Sequence, residues 1–348
     1  MTDAPGKPRT TIVTLSRSAG VSTSTVSRAL KGDPSISPSM RARIAALAAE
    51  AGYMPNIMAR TLSSGRSGLI GLVLGAASNP FYAMLLEELV RQAAARQQRF
   101  MIIHAGAGPI EDSTAEALLH YRVDGCLITS ADLSSRAADI CARNGVPVVM
   151  INRIPRQHAS AVSCDNAEGG GTLARFLRAG GHRRAGILHS GAGSSNGIER
   201  ERGFTEAFTR GAARIVFRFD ARSVYEGGYA AGEAIAEMPA GKRPDCLFAV
   251  SDIIGMGAMD ALRAKGLRVP QDISVVGFDC IPDGARPHYA ITTFRQPVAA
   301  MVRRGLDLLA ARIGEPSLPD EAVLLRGEIV IRASARQAAG DAWDKAAG

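Results

Sequence analysis

The run Ser22-Thr23-Ser24-Thr25-Val26-Ser27-Arg28-Ala29-Leu30-Lys31 places hydroxyls and two cations around a pair of apolar residues, Val26 and Leu30, spaced four apart. At helical spacing that pair forms one inward stripe. Thr23, Ser24, Ser27 and Arg28 are then left on the outer face. A short polar face suits a helix that enters the major groove of duplex DNA. Arg28 carries the planar fork that takes O6 and N7 of a guanine. Ser22, Thr25, Ser27, Lys31 and, further on, Asn56 are of the types that hold phosphates. Gly20 supplies a tight turn ahead of the segment, and Ser22 can cap the helix. Taken alone, the segment also fits an ordinary small helix pair.

A second group of candidates follows apolar runs further along the chain. Asn79, Phe81 and Tyr82 come after Gly68-Leu69-Ile70-Gly71-Leu72-Val73-Leu74, and Asn152 and Arg153 come after Val146 to Ile151. Ser194, Ser195 and Asn196 follow Gly186-Ile187-Leu188, and Arg200 lies one helical turn on. Ser251-Asp252 and Phe278-Asp279 end two more runs, and Gln296 stands between elements. Aromatic rings, amides, guanidinium groups and carboxylates are what hold a polyhydroxylated ligand. Asn79 and Asp252 have a second reading as helix caps, and Tyr82 as core. Charged Arg200 and Asp279 are harder to explain as packing. Gly191 to Gly197 resembles a phosphate loop but lacks the Gly-Lys-Ser/Thr ending. No Ser-His-Asp or metal constellation assembles from the sequence. The expectation is therefore no catalytic residue, no metal and no cofactor.

These candidates need elements to carry them. Continuous apolar strands (68–74, 100–103, 125–128 and 146–151, then 186–188, 215–217, 246–250 and 273–278) alternate with helical patterns. That alternation predicts parallel sheets covered on both faces. Two sets of about 100 residues predict two doubly wound subdomains, with ligands outside the carboxyl ends of the strands. Asn79 is expected to cap the helix that Pro80 opens. Upstream, 11–52 reads as three short helices, 53–66 as a linker and 1–10 as a disordered arm.

Composition fits this division. The chain has 348 residues, 46% hydrophobic and 21% charged, with a net charge of +8. Residues 1–66 hold nine Lys/Arg and three Asp/Glu, which is +6, leaving +2 for the remaining 282. A basic head on a nearly neutral body is the footprint of a nucleic-acid module attached to a body with another task. The five cysteines are widely spaced and sit mostly in apolar runs, as reduced core thiols do. No apolar run approaches the ~18 residues of a membrane helix. No secretory segment is seen at Met1–Thr10, so a cytoplasmic location and no membrane partner are expected. The tail from Ala338 has no Leu heptad.

Residues 11–66 resemble the headpiece of the LacI/GalR (lactose-repressor) family of bacterial transcription regulators. The resemblance rests on Ala19-Gly20-Val21-Ser22, Thr25-Val26-Ser27-Arg28, Gly52-Tyr53-Met54-Pro55-Asn56 and Ala59-Arg60-Thr61-Leu62. The rest of the chain is similar to the family's effector domain. The resemblance implies an α/β body of type I periplasmic-binding-protein fold behind an all-α helix-turn-helix. It implies an N-subdomain at about 67–163 and 291–322 and a C-subdomain at about 164–290 and 323–336, with crossings near 162–166, 289–297 and 320–330. It makes Thr23 and Ser24 the base-reading companions of Arg28. It makes Leu62, with Ala59 and Arg60 beside it, a minor-groove wedge on a hinge helix at about 56–64. Among the cleft candidates it singles out Phe81, Tyr82, Arg200 and Asp279; Ser251 replaces the family's frequent Asn. Helix 1 also departs from the pattern, with Thr14 and Ser16 for the usual Asp and Ala, so a looser helix start is expected.

The function this implies is a homodimeric transcription regulator and repressor, not an enzyme. It would bind near-palindromic double-stranded operator DNA, under control of a sugar or sugar-acid effector. A solute-binding protein without DNA function is the alternative.

Overall fold

The computed structural model describes residues 10–53, 66–75, 78–106, 109–110, 112–129, 132–133, 135–153, 159–191 and 194–337. The chain divides into two compact units, 1–67 and 68–348. Residues 1–9 of the expected arm (1–10), most of the hinge and the tail beyond 337 lie outside the described residues.

The first unit is three helices, α1 (Ile12–Ala19), α2 (Thr23–Leu30) and α3 (Pro38–Glu50). Each begins at a hydroxyl cap: Thr11, Ser22 and Ser37 accept from the amides of Thr14, Thr25 and Met40. Gly20, at φ 66°, ends α1 in the left-handed region and makes the turn into α2. Leu15, Ala19, Val26, Ala29, Ile44 and Ala48 form the core, with Leu30, Leu47 and Tyr53 against it. One expectation fails here. The start of α1 is not loosened by Thr14: the Thr11 amide donates to Thr14 Oγ1 at 2.8 Å while the Thr14 amide donates to Thr11 Oγ1 at 3.2 Å. The hydroxyl supplies the reciprocal half of a capping box, the role an acid would take. Ser16 is likewise settled, its hydroxyl donating to the Val13 carbonyl.

The second unit contains two six-stranded sheets. In the first, the spatial order is β13 (Ala322–Leu325), β7 (Ser160–Cys164), β6 (Val148–Ile151), β4 (Gly125–Thr129), β1 (Leu69–Leu74) and β2 (Arg99–His104), all parallel. In the second it is β14 (Glu328–Val330), β12 (Thr292–Arg295), β11 (Ser274–Asp279), β10 (Cys246–Ala249), β8 (Arg184–His189) and β9 (Arg214–Asp220), parallel except for β14. A two-residue parallel pair, β3 (Pro109–Ile110) with β5 (Asp132–Leu133), stands apart. The central strands are buried throughout, as strands covered on both faces must be.

Two expected boundaries move. β12 belongs to the second sheet, so the chain returns to the first subdomain only at 296–297, not at 291. β13 is the edge of the first sheet, so the last crossing falls at 326–327, not at 323. Both strands lie in crossover segments, where pairing partners rather than apolar pattern decide the sheet. A third shift is local. Helix α4 (Phe81–Ala95) starts one residue later than expected, with Pro80 at the cap position, yet Asn79 Oδ1 still accepts from the Phe81 amide at 3.0 Å.

The helices that matter for function are α4, α7 (Asn166–Ala179), α8 (Ser195–Phe208) and α10 (Asp252–Ala264). Each begins just beyond a strand's carboxyl end. Helices α7 and α8 cross in close contact because of glycine: a Cβ at Gly170 would strike the carbonyl oxygen of Arg200, and one at Gly203 that of Ala167. The crossing fixes α8, and Arg200 with it, against α7.

Replacing Thr14 by Val should lower head stability by about 1 kcal/mol through loss of the reciprocal cap. Hydrogen exchange of the α1 and α2 amides in the full chain should then speed up roughly five-fold. Thr14→Asp should leave it unchanged. Equal protection in the valine variant would show that the hydroxyl contributes nothing.

Candidate functional site

The carboxyl ends of the two sheets enclose a cavity of about 230 Å³. The first subdomain contributes Ser78, Asn79, Phe81, Tyr82, Asn152 and Arg153. The second contributes Ser190, Ser194, Asn196, Gly197, Arg200, Ser223, Val250, Ser251 and Asp279. Phe81 and Tyr82, edge-to-face at 5.6 Å, form its aromatic wall.

Arg200 and Asp279 form the floor. Both are nearly inaccessible, at 5% and 2%. Arg200 Nη1 donates to Asp279 Oδ1 at 3.0 Å and to the Val250 carbonyl at 2.7 Å, and Nε donates to Asn166 Oδ1 at 2.8 Å. Its guanidinium carbon lies 3.8 Å over the Phe278 ring. Asp279 accepts two more bonds. Gln296 Nε2 donates to Oδ1 at 2.7 Å, and Asn79 Nδ2, from the opposite subdomain, donates to Oδ2 at 2.9 Å. Asn196 makes a second bridge across the cleft, donating to the Asn152 carbonyl at 2.5 Å. Burial pushes the Asp279 carboxyl up, while Arg200, Asn79 and Gln296 pull it back. Burial likewise raises the Tyr82 phenol, which lies in the fields of Arg153, Asp279 and Arg200.

The backbone at these strand ends is unusual. Asn152, Asp279 and Cys280 have φ of 63°, 114° and 60°, values non-glycine residues rarely adopt. Such conformations persist where the surrounding structure over-determines them, most often at binding sites. Among the described residues, Asn152 Oδ1, Ser190 Oγ and Ser251 Oγ, buried on the cavity wall, have no hydrogen-bond partner. Buried polar groups are normally hydrogen-bonded, so these are positions for ligand or water.

The cavity thus brings together Asn79, Phe81, Tyr82, Asn152, Arg153, Asn196, Arg200, Ser251 and Asp279 of the sequence candidates. Three others lie outside the lining. Gln296 is one bond behind, on Asp279. Ser195 is the first residue of α8, its hydroxyl buried and unpartnered. Asp252 neither caps α10 with its side chain nor reaches the cavity. It is fully buried and accepts from Thr293 Oγ1 at 2.6 Å and from the Ile281 amide at 2.9 Å. Burial, and then the nearby Asp279 charge, push its carboxyl up to about 8. Asn166, Ser78, Ser190 and Ser223 were not among the sequence candidates. Asn166 could have been signalled by its place two residues beyond a strand, close to the position Asn152 has after β6.

On the first unit, Ser22, Thr23, Ser24, Arg28 and Lys31 are exposed, and Thr25 and Ser27 half-buried. Ser22 Oγ lies 2.8 Å from Ser24 Oγ and 2.9 Å from Thr25 Oγ1, so α2 starts as a hydroxyl cluster. Asn56, Ala59, Arg60 and Leu62 lie outside the described residues. Elsewhere, His182, Asp245 and Cys246 approach as metal ligands would. However, Arg336 Nη2 lies 3.2 Å from His182 Nδ1, and Asp245 accepts from the Arg183 and Arg184 amides. The group is a structural knot. Among the described residues no helix is long and apolar enough to cross a membrane.

Comparison with known proteins agrees with this anatomy. Residues 11–56 match the profile for bacterial regulatory proteins of the lacI family, and residues 174–335 that for a periplasmic binding protein-like domain. The ribose operon repressor of Escherichia coli (strain K12) is 30% identical over 330 residues, 93% of this chain and 99% of its own. The HTH-type transcriptional regulator CelR of Thermobifida fusca is 31% identical over 329 residues, 91% and 96% of the two chains. A solved complex of transcriptional regulator CelR with cellobiose superposes with a TM-score of 0.68 at 28% identity, covering 94% of this chain and all of that one. The lac repressor dimer bound to operator and an anti-inducer shares the fold, with a TM-score of 0.85 at 23% identity, covering 94% and 99%.

Asp252 gives a pH test. Its ordinary value is 3.8 and its folded value about 8. The folded chain therefore holds an extra proton between these values. The associated stability is complete below the unfolded value and is lost as pH rises through about 8. Asp252→Asn mimics the protonated acid and should flatten the fall in melting temperature between about pH 4 and about pH 8. An unchanged slope would remove Asp252 as its source.

Proposed function

This chain belongs to the lacI family of bacterial regulatory proteins, and we propose that it is a homodimeric repressor whose hold on operator DNA is set by a sugar-type effector in the inter-subdomain cavity. The carrying observation is the bridge from Asn79 to Asp279. The carboxylate that anchors the cavity floor in one subdomain is hydrogen-bonded from the other. A ligand seated there must touch both subdomains and so alters the free energy of their relative placement. A ligand shifts such an equilibrium only by its differential affinity for the two states, and coupling energies of this kind are typically ~1–3 kcal/mol.

On DNA, the exposed face of α2 supports Arg28, Thr23 and Ser24 as base readers. Ser22, Thr25, Ser27, Lys31 and Asn56 serve as phosphate contacts. Ala59, Arg60 and Leu62 belong to the proposed hinge, with Leu62 inserted into the minor groove. A hinge of this length is too short to be a stable helix alone; pairing with its twin on a near-palindromic operator supplies the missing contacts. The relatives' names are those of repressors and regulators, which supports a regulator that is not an enzyme and that works in the cytoplasm, where its DNA is.

Two measurements test this reading. Arg28→Ala should relax preference at one base pair per half-site by roughly 1–3 kcal/mol. Uniform weakening across all sequences would make Arg28 a phosphate contact. Asp279→Asn should retain operator binding yet raise the effector concentration needed for response by about ten-fold or more, because a charge-assisted hydrogen bond is worth ~1.5–3 kcal/mol. An unaltered dose response would place the effector elsewhere.

A further inference from the structure

We propose that the effector is a polyol the size of a single sugar ring, and that Ser190 and Ser251 determine its specificity, each reading one of two hydroxyls on neighbouring carbons. The inference rests on the cavity being the effector site, as argued above. The polar groups of the wall divide into those the protein satisfies itself and those it leaves for a ligand. An ionised carboxylate offers about four acceptor sites. On Asp279, Oδ1 takes Arg200 and Gln296, and Oδ2 takes Asn79, so among the described residues one site on Oδ2 is left for a ligand hydroxyl. Asn152 is linked to the Tyr82 phenol by a side-chain hydrogen bond, yet its buried Oδ1 has no partner among the described residues. The amide nitrogen is therefore engaged, and the oxygen is open to a second ligand donor. Ser190 Oγ and Ser251 Oγ are likewise buried and unpartnered among the described residues. A serine hydroxyl both donates and accepts, as a sugar hydroxyl does.

The second sheet sets the two serines side by side. β8 and β10 are parallel neighbours, with Leu188 opposite Ala249. The Val250 amide still donates to the Leu188 carbonyl at 3.1 Å, so the pairing holds to the strand ends. Ser190 and Ser251 each stand two residues beyond the Leu188–Ala249 pair and both line the cavity. They are thus level with one another, at roughly the 4.8 Å spacing of adjacent strands. Two groups so placed fit oxygens on neighbouring carbons of one ring, not on its opposite sides. Neither hydroxyl is used up locally. Ser251 is the cap residue of α10 but makes no side-chain cap bond. Ser190 lies against the start of α8, where a Cβ at Gly197 would strike its Oγ; glycine there keeps room for the hydroxyl. Size narrows the choice further. A cavity of about 230 Å³ lies below the ~300–1,000 Å³ of sites that hold drug-sized ligands.

The experiment is calorimetric titration of the full-length protein with ribose, xylose, glucose and galactose, and with cellobiose as the two-ring contrast. Operator binding is recorded in parallel. At least one of the four single rings should bind and change operator affinity, and cellobiose should not bind. Singly deoxygenated forms of the sugar that binds are then titrated into the wild type, Ser190→Ala and Ser251→Ala. Each variant should weaken the parent sugar about three- to ten-fold. Each should also become insensitive to the loss of one particular hydroxyl, the two hydroxyls lying on neighbouring carbons, while every other pair of losses multiplies. Ser190→Cys and Ser251→Cys, nearly the same size with a weak donor, should repeat the pattern and stand in for an alanine variant that melts early. Losses that multiply for every deoxy sugar, matched hydroxyls that are not neighbours, or cellobiose binding as tightly as a single ring overturn the inference while leaving the cavity as the effector site. If none of the five sugars binds, or binding leaves operator affinity unchanged, the effector reading falls and the inference with it.

Discussion

The body of this protein is organised around one buried ion pair, Arg200 with Asp279. Two charges withdrawn from water cost more than their mutual attraction returns unless their remaining hydrogen-bonding capacity is also met. Here it is met by four further groups: the side chains of Asn166, Gln296 and Asn79, and the carbonyl of Val250. These come from different elements, so the pair stays satisfied only when two helix starts, two strand ends and a crossover are all in place. Stabilisation is not the main consequence. Removing either partner would leave a buried charge without compensation, at about 3–5 kcal/mol, so the network specifies one arrangement of the cleft floor. Its one member from the facing subdomain is Asn79, so the same network also ties the two subdomains together.

The local sequence builds the network from ordinary devices. A run of glycines at the start of α7 allows α8 to approach backbone to backbone, and this sets the depth of Arg200. The end of β11 turns through two residues of positive φ, Asp279 and Cys280, and the Asp279 carboxylate there meets Arg200, Gln296 and Asn79. Behind it, Asp252 is held by Thr293 and the Ile281 amide. Burial, and then the Asp279 charge, push the Asp252 carboxyl up, toward its neutral form. One acid lines the cavity and the other braces the strand end behind it, although both lie at a strand's carboxyl end.

That contrast marks what was legible in the sequence. The helix-turn-helix could be read because its turn, cap and apolar stripe are local. The central strands could be read because strands buried on both faces leave continuous apolar runs. The strand-end rule brought Arg200, Asp279, Asn152 and Tyr82 to one neighbourhood. What depended on long-range pairing could not be read. β12 and β13 are short crossover strands whose sheet is decided by partners more than a hundred residues away in the case of β13. Asp252 and Gln296 looked like cleft residues because spacing cannot tell a side chain that enters the cavity from one that supports another. Asn166 was passed over because its role exists only through Arg200. The capping box at Thr11 and Thr14 shows the opposite error: a departure from a motif was read as a loss, when the hydroxyl performs the same hydrogen bonding as the acid it replaces.

Two hydrogen bonds link the subdomains across the cleft, Asn79 to Asp279 and Asn196 to the Asn152 carbonyl. A ligand that acts through the cleft competes with or rearranges contacts the protein makes with itself. Two hydrogen bonds, one of them to a carboxylate, are together worth only ~2–4 kcal/mol net, the same order as a typical allosteric coupling energy. The cleft is thus balanced within reach of a small ligand's differential affinity. A much stronger self-contact would lock the protein in one state, and none at all would leave the subdomains unlinked in the absence of effector. Asn152 Oδ1, Ser190 Oγ and Ser251 Oγ, buried and without a partner among the described residues, add to what a ligand can gain, since a hydrogen bond to a buried polar group offsets the cost of its desolvation.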